Sequence, residues 1–265
     1  MSEKTPESNT GLEVRTYFVR EHNALLARAD FGDLYIDYYL HLAQSSIRHS
    51  LRNDELLKET VAALTLHCAS RPHNETTAWT IHLEDPLVNL FAAGDNNQGS
   101  VTGHLFTENI KRHPSNLLFA DIIRGTQPPR RSTVEFGGKD VFRAVEHYYK
   151  QSEQRPARYF QIGGEDFVMI SAQPDCDMAW FESLNEETVK NLDQTCTLGL
   201  LERRFFRWQC GCNQERMFAL LAPVMRSDPS QLFGDEQSLR ISCPRCGTRH
   251  TITREAMEAF MAAHR

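Results

Sequence analysis

The sequence predicts an α+β fold with three parts: an N-terminal, largely antiparallel sheet with packed helices, then a helical linker, then a small C-terminal module. Three observations carry this. Alternating apolar runs such as Thr77, Trp79, Ile81 and Leu83 stand apart from runs at helical spacing, so strands and helices are segregated rather than interleaved. From Gln173 the composition shifts to short amphipathic pieces with acidic clusters. Finally, two cysteine pairs, Cys210-Gly211-Cys212 and Cys243-Pro244-Arg245-Cys246, fall close to the end of the chain. The expected boundaries are a polar, disordered tail over 1–11, a core over 12–172, a linker over 173–207 and a module over 208–265. A chain of 265 residues has room for one substantial core and a smaller appended unit.

Taken in order, the tail is rich in Ser, Glu, Thr and Asn and has little to bury. Arg15 to Arg20 and Ala24 to Asp30 flank Glu21-His22-Asn23 and predict a hairpin. Leu34, Tyr35, Tyr38, Tyr39, Leu42 and Ala43 recur at helical spacing. A second helix is expected from Asp54, capped by Asn53, with Leu56, Leu57, Val61, Leu64 and Cys68 on one face. Cys68 reads as core. The period then changes to that of a strand meander, with Val101, Gly103 and Leu105 following the Gly94-to-Gly99 turn. Leu117 to Ile123 and Thr133 to Phe136 continue the sheet on either side of Pro128-Pro129. Phe142, Val145, Tyr148 and Tyr149 mark a helix that ends before Arg155-Pro156, and Gly137-Gly138-Lys139-Asp140 reads as its start. Tyr159 to Ile162 and Phe167 to Ser171 are strands around Gly163-Gly164. Between Gln173 and Trp208 no strong strand is expected, and Cys176 and Cys196 read as small apolar side chains.

Charge and cysteine usage bound the function. A net charge of −6 and a pI near 6.0 argue against a surface that coats nucleic acid, and Lys111, Arg112, Arg130 and Arg131 read as solvated. No stretch approaches ~18 consecutive apolar residues, and Met1 to Gly11 lacks the hydrophobic core of a signal peptide. A cytoplasmic protein, not bound to membrane, is expected. Seven cysteines, four of them in chelating spacing, fit a reducing compartment better than a disulfide framework.

The cysteine pairs carry the chemistry. Each pair presents two sulfurs to one ion, and the intervening residues 213–242 form a loop long enough to fold back, so Cys210, Cys212, Cys243 and Cys246 predict one closed tetrahedral zinc site per reduced chain. The first pair requires a backbone conformation that Gly211 tolerates best, and Gly247 suits a tight turn after the second. Zinc-held thiolates are also the form that oxidants attack, so the spacing admits either a permanent structural ribbon or a redox sensor. His250 is not needed as a ligand. No nucleophile elbow, metalloprotease motif, P-loop or dinucleotide fingerprint is present, so no enzymatic activity is expected.

The order C-x-C before C-x-x-C, with Asn213-Gln214-Glu215-Arg216 directly after the first pair, resembles the zinc switch of the bacterial redox-regulated heat-shock holdase family. Asp85-Pro86-Leu87, Gly94-Asp95-Asn96-Asn97-Gln98-Gly99 and the stretch Tyr148 to Pro156 agree with it. The resemblance implies an ATP-independent chaperone for unfolding proteins, activated under oxidative stress as Cys210 pairs with Cys212 and Cys243 with Cys246 and zinc is released. It also implies a metastable helical linker that lies on the core when reduced, and a dimer in the active form. The chain departs from the family where Arg203-Arg204 replaces an acidic stretch. The competing reading is a zinc-ribbon binding module, for nucleic acid or another partner, with a structural zinc.

Overall fold

A computed structural model describes residues 11–264. The tail expected over 1–11 lies, Gly11 apart, outside the described residues. In chain order the first part holds β1 (Leu12–Val19), a 3-10 turn (Arg20–His22), β2 (Ala24–Asp30), α1 (Gly32–Gln44), α2 (Leu51–Ala69), β3 (Glu75–Glu84), β4 (Leu87–Asp95), β5 (Ser100–Phe106), β6 (Asn116–Arg124), β7 (Arg130–Phe136), α3 (Val141–Gln151), β8 (Ala157–Gln161) and β9 (Asp166–Ala172). Three short helices follow, α4 (Met178–Ser183), α5 (Glu186–Lys190) and α6 (Leu192–Thr195), and then β10 (Leu198–Trp208). The chain closes with α7 (Gln214–Ser227), α8 (Pro229–Phe233), β11 (Ser238–Ser242), β12 (Arg249–Thr253) and α9 (Arg254–Ala263).

Ten strands form one sheet in the order β7-β6-β3-β4-β5-β10-β1-β2-β9-β8. All its pairings are antiparallel except that of β10 with β5, which run parallel at Arg207↔Ser100 and Trp208↔Val101. β10 also lies antiparallel to β1 from Leu12↔Phe206 to Val19↔Leu198, and so joins two antiparallel groups of strands. The expectation of no strand between Gln173 and Trp208 therefore fails. β10 has charged Glu202, Arg203 and Arg204 among its apolar residues, and its partners lie far away in sequence, so local pattern understates it. β4 was also not singled out, although its Val88, Leu90 and Ala92 alternate inward.

Helices α1, α2 and α3 cover one face. α2 is buried on every side from Thr60 to Ala69, which no single apolar stripe describes. Its threonines hide their hydroxyls by donating to carbonyls one turn back, Thr60 to Leu56 and Thr65 to Val61, both at 2.7 Å. The helix starts at Leu51 rather than Asp54. Ser50 is the cap, accepting from the Asn53 N–H, while Asp54 accepts the hydroxyls of Tyr38 and Tyr39 at 2.7 Å each. Cys68 is buried beneath Gly94, and burial pushes its thiol up to about 12, as expected of an inert core cysteine.

An ion-pair network binds the far end of α2 to the sheet. The buried Glu75 carboxylate accepts from Arg71 at 2.9 Å and Arg124 at 2.7 Å, and Glu153 accepts from Arg71, Arg130 and the Tyr148 hydroxyl. Arg204 on β10 donates to the carbonyls of Cys68 and Arg71, so the arginine that departs from the family pattern ties β10 to α2. Arg112 and Arg131 are likewise paired, with Glu84 and Asp121.

The opposite face of β1, β2, β9 and β8 is apolar, with Val19, Leu26, Phe160, Val168 and Ile170 buried. Helices α4 to α6 cover it with Phe181, Leu184, Val189 and Leu192. Cys176 and Cys196 pack at its margin. Four to six residues per helix is too few for independent stability in water, so this cover depends on its contacts with the rest of the fold. The C-terminal elements have their own small core of Met217, Ala222, Met225, Phe233, Ile252 and Met257.

Candidate metal centre

β11 and β12 pair from Ser238↔Thr253 to Ser242↔Arg249, and the second cysteine pair forms the tip of this hairpin. The tip closes with Gly247 N–H on the Cys243 carbonyl and Cys243 N–H on the Thr248 carbonyl, both at 2.8 Å. The first pair is the hinge between the sheet and α7: Gln209 N–H still donates to the Val101 carbonyl of β5, and Asn213 caps α7 by accepting from Arg216 N–H. Gly211 between the two cysteines has φ +67° and Gly247 has φ +76°, the conformations anticipated for both positions.

These two turns bring Cys210, Cys212, Cys243 and Cys246 together, with every sulfur within 4.8 Å of every other. Cys210 Sγ lies 3.7 Å from Cys243 Sγ, and Cys212 Sγ 3.6 Å from Cys246 Sγ. A tetrahedron of sulfurs about 2.3 Å from a central ion has edges of about 3.8 Å, so the spacing fits a metal ion of that kind. No disulfide joins any of the seven cysteines. His250 is not in the cluster.

Four thiols this close perturb one another. Cys243 is pushed far down, chiefly by hydrogen bonds from the Cys210 and Cys246 thiols, with the Arg245 and Cys246 backbone N–H groups helping. Cys210 is pushed up, chiefly by its hydrogen bonds to Cys243 and Cys246, and burial pushes Cys212 up to about 12. The four sulfurs titrate as one coupled cluster, and collecting four thiolates needs a cation among them. Cys243 and Cys246 are buried, whereas Cys210 and Cys212 are half-exposed beside an apolar dimple lined by Met217, Leu220 and Pro244. The first pair is therefore the more open to solvent.

The site leans on the core. His41 of α1 donates from Nε2 to the Cys246 carbonyl, Trp208 packs against Tyr38 and His41, and Gly247 sits against His104 and Ile47. Of these residues, the sequence pattern marks out neither His41, His104 nor Ile47. A histidine aimed at a carbonyl 205 positions away leaves no local signal.

A family model described as Hsp33 protein matches residues 168–253, which span both cysteine pairs, the helical cover and β10. A curated 33 kDa chaperonin of Caldanaerobacter subterraneus subsp. tengcongensis is 21% identical, with 52% of this chain and 56% of that protein covered. The chain thus spans little more than half the length of this curated relative. The crystal structure of the 33 kDa chaperonin (heat shock protein 33 homolog) of Thermotoga maritima has the same fold, with a TM-score of 0.72 at 13% identity over 96% of this chain and 99% of that one. Family model, curated relative and fold together support an Hsp33-type family member.

Proposed function

We propose that the protein is an ATP-independent holdase chaperone whose activity is controlled by Cys210, Cys212, Cys243 and Cys246. The observation that carries this is the four-sulfur cluster at tetrahedral spacing, joined through β10 to the sheet whose apolar face lies under a marginal helical cover. In the reduced state the four cysteines hold one zinc ion, which keeps them as thiolates and braces the small C-terminal core. Peroxide takes two electrons from each pair of thiols, giving one disulfide and two waters, and the thiolate ligands are gone.

The chain is read as a core over 12–172, a linker over 173–207 and a switch module over 208–265. The linker includes most of β10, so loss of order in the module pulls on a sheet strand as well as on α4 to α6. Release of the cover exposes Leu26, Phe160, Val168 and Ile170, a surface suited to unfolding proteins. The partners are partly unfolded proteins and, in the oxidised state, a second copy of the chain. Nucleic acid, membrane and catalysis play no part, and the compartment is the cytoplasm. Among the described residues no helix is long and apolar enough to cross a membrane.

The second reading, a zinc ribbon with a purely structural ion, is favoured by the module's separate core. One experiment separates the two: zinc content and suppression of client aggregation, measured before and after peroxide with mild heat. The holdase gains suppression as zinc leaves. Zinc loss and module unfolding without added suppression would leave the structural ribbon.

A further inference from the structure

The 3-10 turn between β1 and β2 touches both ends of the helical cover. At the cover's start, the His22 ring stacks on Trp180 with centroids 4.1 Å apart and planes 2° from parallel, and His22 Nδ1 lies 3.1 Å from Asp177 Oδ2. Asp177 N–H donates to the His22 carbonyl, Gln173 N–H to the Asn23 carbonyl, and Asn23 Nδ2 to the Asp175 carbonyl. At the cover's end, Thr197 N–H donates to Glu21 Oε2 at 2.9 Å, and Arg20 N–H donates to the Thr197 carbonyl at 3.2 Å. Four consecutive residues thereby hold positions 173–180 and 197, and α4 to α6 hang between the two attachments. Asn23 takes the left-handed conformation, φ 47° and ψ 54°, that turns the chain back into β2 with these groups facing the cover.

We infer that Arg20–Asn23 is a clasp, and that its side chains set the threshold at which the cover leaves the sheet, independently of the metal centre. Asp177 shows why the contact is selective. It caps α4 with Oδ1, accepting from Trp180 N–H at 3.1 Å, while Oδ2 faces His22, so freeing His22 loosens the first turn of a six-residue helix. Arg158 of β8 holds the other end of α4, donating to the carbonyls of Glu182 and Leu184. Cover opening therefore has a second control, in residues that touch neither the cysteines nor α7 to α9. This inference rests on the reading of α4 to α6 as a releasable cover.

The test uses the full chain, reduced and zinc-loaded. His22→Ala, Glu21→Ala and the double variant are compared with Arg131→Ala, which breaks an exposed ion pair on the other half of the sheet. Limited proteolysis between residues 173 and 197 should run about three- to tenfold faster in each clasp variant, and faster still in the double one, with zinc content unchanged. His22→Phe, which keeps the stack on Trp180 and loses the Asp177 contact, should recover only part of the protection, and the part it does not recover measures that contact. Cleavage at the Arg131→Ala rate in the double variant overturns the clasp. So does concurrent loss of zinc, because the turn would then not act apart from the metal centre. Client protection without oxidant should accompany the faster cleavage. If cleavage rises and protection does not, the clasp stands and the chaperone reading fails.

Discussion

The imidazole of His41, on α1, places Nε2 2.7 Å from the carbonyl oxygen of Cys246, so a core helix donates a hydrogen bond directly into the turn that carries two of the four clustered thiols. Removing the donor leaves a half-buried carbonyl unpaired at the seam. His41→Ala should weaken docking by about 1 kcal/mol, and speed hydrogen exchange over residues 243–248 about fivefold in the reduced protein. Unchanged exchange would mean that the seam is held by Trp208 and β10 alone.

Gly247→Ala should do more. A Cβ there would approach His104 Cε1 to 2.6 Å and Ile47 Cδ1 to 2.7 Å, and the residue's φ of +76° disfavours any side chain. The expected cost is about 2 kcal/mol or more, read as a module that melts before the core. The ring atoms of His104 that the Cβ would meet are partly buried against its neighbours, and burial with His49 nearby holds this imidazole down to about 4.

Metal removal should unfold the module and spare the sheet. Structural zinc contributes roughly 10 to 16 kcal/mol in peptide-sized sites, as much as a whole domain's margin of ~5 to 15 kcal/mol, and the module's own core has only six buried residues among those described. A Cys243→Ser, Cys246→Ser double variant should lose stoichiometric zinc, and proteases should cut it after residue 208. Full metal content in that variant would end the assignment.

Oxidation pits sequence neighbours against spatial ones. The family resemblance implies Cys210–Cys212 and Cys243–Cys246 bridges, whereas the tight sulfur contacts of the reduced cluster run across the pairs, at 3.7 and 3.6 Å. Once the module loosens, chain proximity governs, and neighbour bridges should dominate a peptide map, the Cys210–Cys212 bridge being the more easily reduced. Dominant Cys210–Cys243 and Cys212–Cys246 bridges would show that oxidation precedes unfolding. Cys68, Cys176 and Cys196 should stay outside the main bridges.

What the sequence discloses here follows from what is local. The spacing of the four cysteines, the left-handed glycines beside them and the hairpin around Glu21-His22-Asn23 need no distant partner, and each is where periodicity or chelation places it. β10 hides because its place depends on Leu12–Val19 and Ser100, more than a hundred residues earlier, and Arg204 finds its acceptors on Cys68 and Arg71. The seam through His41 and His104 and the clasp on Trp180 are likewise meetings of side chains that share no period. The Ser152-Glu153-Gln154 stretch stood out as a motif, but its work, closing the Arg71 and Arg130 network, is tertiary.

Glu59 gives a pH test that leaves the cysteines untouched. It lies half-buried on α2, and burial, reinforced by the charge of Asp140, pushes its carboxyl from the usual 4.5 up to about 7. The folded state thus holds this proton more tightly than the unfolded chain does. Stability from this group is fully present below about 4.5 and is lost as pH rises through about 7, because above that the folded state must carry a buried charge. Glu59→Gln keeps the neutral shape and removes the titration. Its benefit should be near zero at pH 4.5 and reach about 1 to 2 kcal/mol by pH 8, after allowing for partial solvent screening, or a rise in melting temperature of roughly 2 to 6 °C. Melting curves of the reduced, zinc-loaded protein at the two pH values check this. An equal shift at both would mean that the glutamine acts through packing, and a shift only at low pH would reverse the sign assigned to Glu59.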